Sequence, residues 1–239
     1  MTSAGRVPAA WRGRVNQVVG HVLFGLAYRV DVEGRERVPR SGPILFVGNH
    51  VGFLDGPMLP AYAPRATSVL IKREMFRGLL GWFLTFLGHI PVTRNAGDRA
   101  ALQLALGVLG RGGGGAVGIF PEGTRGRGDV AAVQQGAAWL ALQSGAQLVP
   151  VAFLGTRATG AHTGSLPRLR SRLVMEFGEA QAIEVDPAHS GRQRLADATE
   201  QVRVALAEHV ARAAGEHGRA LPEDDGAQRP DPGPGGSLS

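Results

Sequence analysis

The 239-residue chain contains no cysteine, which excludes disulfide scaffolds, thiolate metal sites and cysteine nucleophiles together. A reducing compartment suits such a chain. Aromatic residues are scarce at 6%, so the core has to come from Leu, Val and Ala. Lysine is nearly missing as well: 25 of the 26 basic residues are Arg, and Lys72 stands alone. No apolar run reaches the roughly 20 residues that a membrane-spanning helix requires. Residues 15–28 are uncharged but too few, and they include Asn16, Gln17 and His21. Residues 78–93 are interrupted by Pro91 and three glycines, and residues 130–156 by glutamines and Pro150. The first apolar stretch has no small-residue cleavage site behind it, so no secretory signal is expected. The chain is expected in the cytoplasm, or on a membrane without crossing it.

What is present is ordinary globular material, 44% hydrophobic and 19% charged, which rules out wholesale disorder. The length suits one generous domain with appendages. From residue 214 onward, five acidic residues outweigh two Arg, leaving that segment at −3. The other 213 residues carry +9, with 24 basic against 15 acidic. Such a body suits an anionic partner: nucleic acid, a phosphorylated substrate or an anionic lipid surface. The base composition of the gene accounts for part of the Arg excess equally well. No recognised nucleic-acid motif or interleaved basic and aromatic pattern accompanies the charge, so no nucleic acid is expected.

Residues 15–27 read as an amphipathic helix with Val15, Val18, Val19, Val22, Leu23 and Leu26 on one broad face. Arg12 and Arg14 before it and Arg29 after it fit a helix lying in a membrane interface. A plain core-packing helix fits the same pattern. Short strands follow at 30–33, 43–48, 67–71, 90–93, 116–120, 148–154 and 172–177. Helices are expected at 55–63, 74–87, 98–109, 135–143 and 193–213. This alternation predicts an α/β fold: one domain with a mostly parallel or mixed central sheet flanked by helices. Residues 1–29 form an N-terminal arm and residues 30–213 the domain. Residues 214–239 read as a disordered acidic tail rich in Gly and Pro, with no apolar periodicity to pack.

Chemistry concentrates at strand ends. Asn49, His50 and Asp55 directly follow the buried strand at 43–48, where α/β proteins place ligands. On a regular helix His50 and Asp55 would stand about 140° apart, so a turn is expected between them, and Gly52 permits one. Asp55 could then hold one imidazole nitrogen and leave the other as a base. A simple N-cap role for Asp55 fits the spacing equally. After the strand at 116–120 come Pro121, Glu122, Gly123, Thr124 and Arg125, combining backbone access, a hydroxyl and a phosphate-matching fork. Arg94 ends another short strand. Pro150 falls inside a strand, which predicts an edge position or a bend.

Each piece alone is weak, but the ordered set resembles the lysophosphatidic acid acyltransferase family, within the wider phospholipid and glycerol acyltransferase group. Its members share Asn-His, four residues, then Asp; a Gly-x-Ile-Pro-Val-x-Arg block; Phe-Pro-Glu-Gly-Thr-Arg; and Val-Pro-Val. All four stand here in order, across residues 32–178. The resemblance implies that His50 is the general base on an acceptor hydroxyl, oriented by Asp55, and that this hydroxyl attacks an acyl thioester directly. It implies that Arg94 clamps the acceptor's phosphate, that Glu122, Gly123, Thr124 and Arg125 complete the acceptor site, and that Pro150 shapes the pocket wall.

The implied partners are acyl-CoA or acyl carrier protein as donor, a lysophospholipid acceptor and an anionic membrane surface, so the expected location is peripheral, on the cytoplasmic face of the cell membrane. The implied acceptor is lysophosphatidic acid, giving phosphatidic acid. No cofactor beyond the donor and no metal are expected. One departure bears on the acceptor: many relatives carry Lys where this chain has Gln134, and Arg127 is the cation nearby in sequence. Another lysophospholipid, a glycolipid acceptor, or a catalytically idle lipid- or CoA-binding relative are the competing readings. The helix around residues 79–87, with Trp82 and Phe83, is a candidate docking face or a core helix. Replacing Arg94 with Ala should raise the acceptor KM far more than the donor KM in steady-state kinetics; the reverse pattern would reassign it.

Overall fold

The computed structural model describes residues 7–93 and 98–224. Seven strands form one sheet in the order β1-β7-β6-β2-β5-β3-β4. In chain order these are β1 (Arg29–Glu33), β2 (Ile44–Gly48), β3 (Thr67–Lys72), β4 (Ile90–Val92), β5 (Ala116–Ile119), β6 (Gln147–Leu154) and β7 (Arg172–Phe177). All neighbours pair in parallel except β6 and β7. The helices are α1 (Ala10–Ala27), α2 (Asp55–Tyr62), α3 (Gly78–Phe86), α4 (Arg99–Leu109), α5 (Gly136–Ser144) and α6 (Gly191–Glu216). The expected single α/β domain with a mixed sheet is what forms.

Successive side chains of a strand face opposite ways, and here both faces are covered. Ile44, Phe46, Val149, Val151, Phe153 and Phe177 face α1 and α2. Leu45, Val47, Leu148, Ala152 and Leu154 face α4, α5 and α6. Every residue of β2 is buried for that reason. Helix α6 meets the sheet through Ala198, Val202, Leu206 and Val210, one stripe at four-residue spacing.

Helix α1 does not bury its valine-rich side. Gly13, Asn16, Gly20 and Phe24 face inward, and a methyl on Gly20 would lie 2.5 Å from Cβ of Ala61 in α2. Val18, Val22, Leu23 and Leu26 point outward, Leu26 at 80% exposure. Small residues rather than large ones set the contact, because they let the two helices approach closely. The same division appears in α3: Leu79 and Trp82 are exposed at 82% and 63%, while Phe83, Leu84 and Leu87 turn inward. Trp11 meets Phe86 edge-on at 5.8 Å, and Phe86 stacks on Trp82 at 5.6 Å. The two helices thereby share one exposed apolar face. No helix among the described residues is long and apolar enough to cross a membrane.

Three expectations change. The helix expected from residue 74 begins at Gly78, where φ of +56° separates it from a 3₁₀ turn at Arg73–Met75. Pro150 lies in an interior strand, between β2 and β7, and not at an edge. Its carbonyl accepts from Gly178 N at 2.8 Å, so its missing N–H points to the same side, just outside the β6–β7 ladder that starts at Val151. The ladder with β2 is therefore undisturbed. The tail is ordered as far as Asp224: α6 continues to Glu216, Leu221 packs on the core and Pro222 is buried. Two apolar residues and an ion pair between Arg157 and Asp224 seat this segment, which is why periodicity gave no sign of it. The rest of the expected tail, residues 225–239, lies outside the described residues.

Candidate active site

The chain leaves β2 toward β3 on one side of the sheet and leaves β5 toward β6 on the other, with α2 and α5 on opposite faces. The carboxyl ends of β2 and β5 are therefore a topological switch point, where a crevice opens. Both motif loops start there.

His50 Nδ1 lies 3.0 Å from Oδ2 of Asp55, and the same oxygen accepts from Val51 N and Gly52 N at 2.8 Å each. Asp55 is fully buried at the first turn of α2, yet its carboxylate points back into the loop and not onto the helix N-terminus. The capping alternative is thereby excluded. Because Oδ2 is an acceptor, the neutral imidazole carries its proton on Nδ1 and its lone pair on Nε2. Gly52 serves the turn by close approach: a Cβ there would stand 2.6 Å from the carbonyl oxygen of Thr156. Its φ is not positive, so close approach and not a left-handed turn is what requires glycine here.

The His50 backbone is clamped on both sides by the loop after β5. His50 N donates to Oε1 of Glu122 at 2.8 Å, and Gly126 N donates to the His50 carbonyl at 2.9 Å. The imidazole stacks on Phe120 with centroids 4.4 Å apart. Burial pushes the Glu122 carboxyl up to about 7, with Asp129 and Asp55 adding repulsion, against the N–H groups of His50 and Val130 that favour its charged form. Val130 takes φ of +56°, an outlier for a β-branched residue, and is held there fully buried.

Asn49, fully buried, carries the β2–β6 pairing one step past the strand. Its Oδ1 accepts from Phe153 N at 2.7 Å and its Nδ2 donates to the Phe153 carbonyl at 3.2 Å. Asparagine is the residue for this because its amide offers donor and acceptor as a peptide does.

A cavity of about 680 Å³ opens beside His50. Phe24 and Leu23 of α1, Phe83 and Leu84 of α3, and Ile71 of β3 make most of it apolar. His89, buried there, accepts from Val69 N through Nδ1 at 3.2 Å and has its other nitrogen 3.1 Å from the Asn16 amide. Burial drives its pKa down to about 4, so it stays neutral. The polar lining includes Lys72, Thr93, Thr124, Arg125, Gln134 and Thr163. Arg125 lies over the Phe53 ring at 5.2 Å.

Of the residues named from the sequence, His50, Gly123, Thr124 and Arg125 meet in this cavity, with Asp55 and Glu122 behind His50. Pro150 does not join them: it sits on the α5 and α6 face, against Gly178. Arg94 lies outside the described residues. Arg127 is turned to Asp129 at 3.1 Å, whereas Gln134 lines the cavity, so Arg127 does not stand in for the missing lysine there. Lys72, Asn49, Phe120 and Arg157 were not assigned from the sequence. Asn49 and Phe120 stand inside the motifs and Lys72 at a strand's carboxyl end, which are readable signals; Arg157 has none. For a metal, Glu33, Glu176 and His217 converge within 4.8 Å, but Arg37 and Arg212 already hold Glu176 at 3.1 Å each, at the sheet's far edge.

A mostly parallel sheet with a histidine held by aspartate at its switch point, beside a largely apolar cavity, defines an α/β domain with an acid–base pair at its strand ends. The acyltransferase family model matches residues 29–154, and the chain belongs to the acyltransferase family. It is 27% identical over 170 residues to the chloroplastic 1-acyl-sn-glycerol-3-phosphate acyltransferase LPAT1 of Arabidopsis thaliana, covering 69% of this chain and 45% of that one. A 1-acyl-sn-glycerol-3-phosphate acyltransferase of Bacillus subtilis is 28% identical over 190 residues, covering 78% and 91%. The lyso-ornithine lipid O-acyltransferase of Pseudomonas aeruginosa is 34% identical over 137 residues, covering 56% and 51%. The chain spans about half the length of several curated relatives it matches. The crystal structure of the 1-acyl-sn-glycerophosphate acyltransferase of Thermotoga maritima superposes with a TM-score of 0.62 at 22% identity, over 84% of this chain and 79% of that one, a likeness of fold.

The Glu122 carboxyl binds its proton more tightly in the fold than in the unfolded chain, so its contribution to stability is full below about pH 4.5 and lost as pH rises through about 7. Glu122→Gln should remove that component. Denaturant unfolding of both proteins between pH 4 and about 8 checks it; equal slopes would show that Glu122 is not so perturbed.

Proposed function

We propose that the chain is an O-acyltransferase that moves a fatty acyl group from a thioester donor, acyl-CoA or acyl carrier protein, to the free hydroxyl of lysophosphatidic acid. The observation that carries this reading is the His50–Asp55 pair, whose Nε2 is left for an acceptor hydroxyl, set beside a largely apolar cavity of about 680 Å³. The acceptor hydroxyl gives its proton to Nε2 as its oxygen attacks the thioester carbonyl. The tetrahedral species then expels the thiolate, which takes the proton from the imidazolium. Asp55 stabilises that imidazolium during the step. The nucleophile belongs to the substrate, so the absence of cysteine is no obstacle. Lys72 and Arg125 in the lining, with Arg94 next to it in sequence, supply charge for a phosphate head. The names of the Arabidopsis and Bacillus relatives support this acceptor.

A second acceptor class has its own support. Gln134 lines the cavity where the family resemblance leads one to expect lysine, and one relative is named a lyso-ornithine lipid O-acyltransferase. A lysolipid without a phosphate monoester fits a site with one cation fewer.

Both acceptors reside in lipid, and the shared exposed face of α1 and α3 borders the cavity. Exposed Leu26, Leu79 and Trp82, with exposed Arg14, Arg29 and Arg77 within or next to the same two helices in sequence, form a surface for an anionic bilayer.

Purified protein with labelled oleoyl-CoA and a panel of lyso-acceptors should yield phosphatidic acid most rapidly, and His50→Ala should lower that rate about a thousandfold or more with the fold intact. Preferential acylation of lyso-ornithine lipid would select the second acceptor, and turnover by His50→Ala would remove His50 as the base. Co-sedimentation with anionic vesicles should fall with salt and with a Leu26→Asp, Leu79→Asp double change; indifference to both would sink the docking face.

A further inference from the structure

Arg157 follows β6 and is the one buried arginine among the described residues, its side chain at 0% exposure. Its guanidinium touches three loops at once. Nε donates to the Val51 carbonyl at 2.9 Å, Nη2 to the Gly126 carbonyl at 2.9 Å and Nη1 to the Ala161 carbonyl at 2.9 Å. Val51 belongs to the loop that holds Asp55, and Gly126 is the residue whose N–H holds the His50 carbonyl. The planar fork thus fixes the spacing between the two halves of the site.

A buried cation needs a buried or adjoining anion. Carbonyl dipoles do not neutralise Arg157; Asp224 does. Asp224 Oδ1 lies 2.8 Å from Nη1, its backbone oxygen accepts from Nη2, and its Oδ2 accepts from Gly160 N. Asp224 arrives from the segment beyond α6, anchored by buried Pro222. Among the described residues, neither Arg157 nor Asp224 lines the cavity.

We infer that Arg157 and Asp224 are a positioning pair: the segment after α6 supplies the counter-charge that holds the guanidinium clamp across the His50 loop and the loop after β5. Loss of the carboxylate leaves the cation uncompensated, and the clamp loosens where the imidazole must be aimed. Turnover is then sensitive to a contact remote from the substrate, while substrate binding is not. The kinetic part of this inference rests on the acyl-transfer reading; the structural part does not.

The test compares the full chain, Asp224→Asn, Asp224→Glu, and chains ended after Glu223 or after Gly226. Asp224→Asn and the chain ended after Glu223 should lose about tenfold or more in kcat with acceptor KM nearly unchanged. Asp224→Glu should recover part of the loss, and the chain ended after Gly226 should match the full chain. Hydrogen exchange without substrate should quicken by about tenfold at the amides of Val51, Gly52 and Gly126 in Asp224→Asn, and not along β2. Unchanged exchange at those amides, uniform acceleration across the sheet, or a wild-type kcat would each overturn the inference. A wild-type chain that acylates no acceptor, yet shows the local exchange response, would instead overturn the acyl-transfer reading and leave the clamp standing.

Discussion

One carboxylate oxygen organises the site. Oδ2 of Asp55 accepts from the imidazole and from two consecutive backbone N–H groups, so a single buried atom fixes the tautomer, the ring plane and the path of the loop together. Hydrogen bonds to a charged acceptor contribute about 1.5–3 kcal/mol each, more than the bonds of an ordinary turn. The arrangement is tolerable only because the loop leaves a fully buried strand at a switch point, where backbone donors have no competing sheet partners.

The two faces of the sheet carry different work. On the α5 and α6 face Leu, Val and Ala make a closed core around a four-residue stripe. On the other face the buried aromatics of the sheet are covered by α1 packed closely on α2 through small residues, and the cavity lies between these helices and α3. The outward valines and leucines are the complement of that choice. A helix that contacts its neighbour through Gly13 and Gly20 has its bulky side left over for another surface.

Charge inside the molecule is handled with similar economy. Asp55, Glu122 and Arg157 stand within one loop cluster, each held by backbone groups from a different segment. Glu122 was read from its motif as an acceptor ligand, but it turns inward to the His50 backbone. A motif fixes which residues are neighbours in sequence, and the fold decides which of them face the substrate. Pro150 shows the same limit: its residue type signals a missing donor, while only the pairing of β6 with β7 shows which side of the strand lacks it.

Strand and helix order, the burial of β2, the closeness of His50 and Asp55 and the family itself were all determined by the sequence, because they depend on local periodicity and on short spacing. The tertiary structure alone decided that α1 exposes its apolar side, that Gly52 is there for Thr156, that the chain to Asp224 is seated, and that Arg157 bridges three loops. These depend on contacts between residues up to 106 positions apart, and no local pattern encodes which distant carbonyl a buried guanidinium will meet.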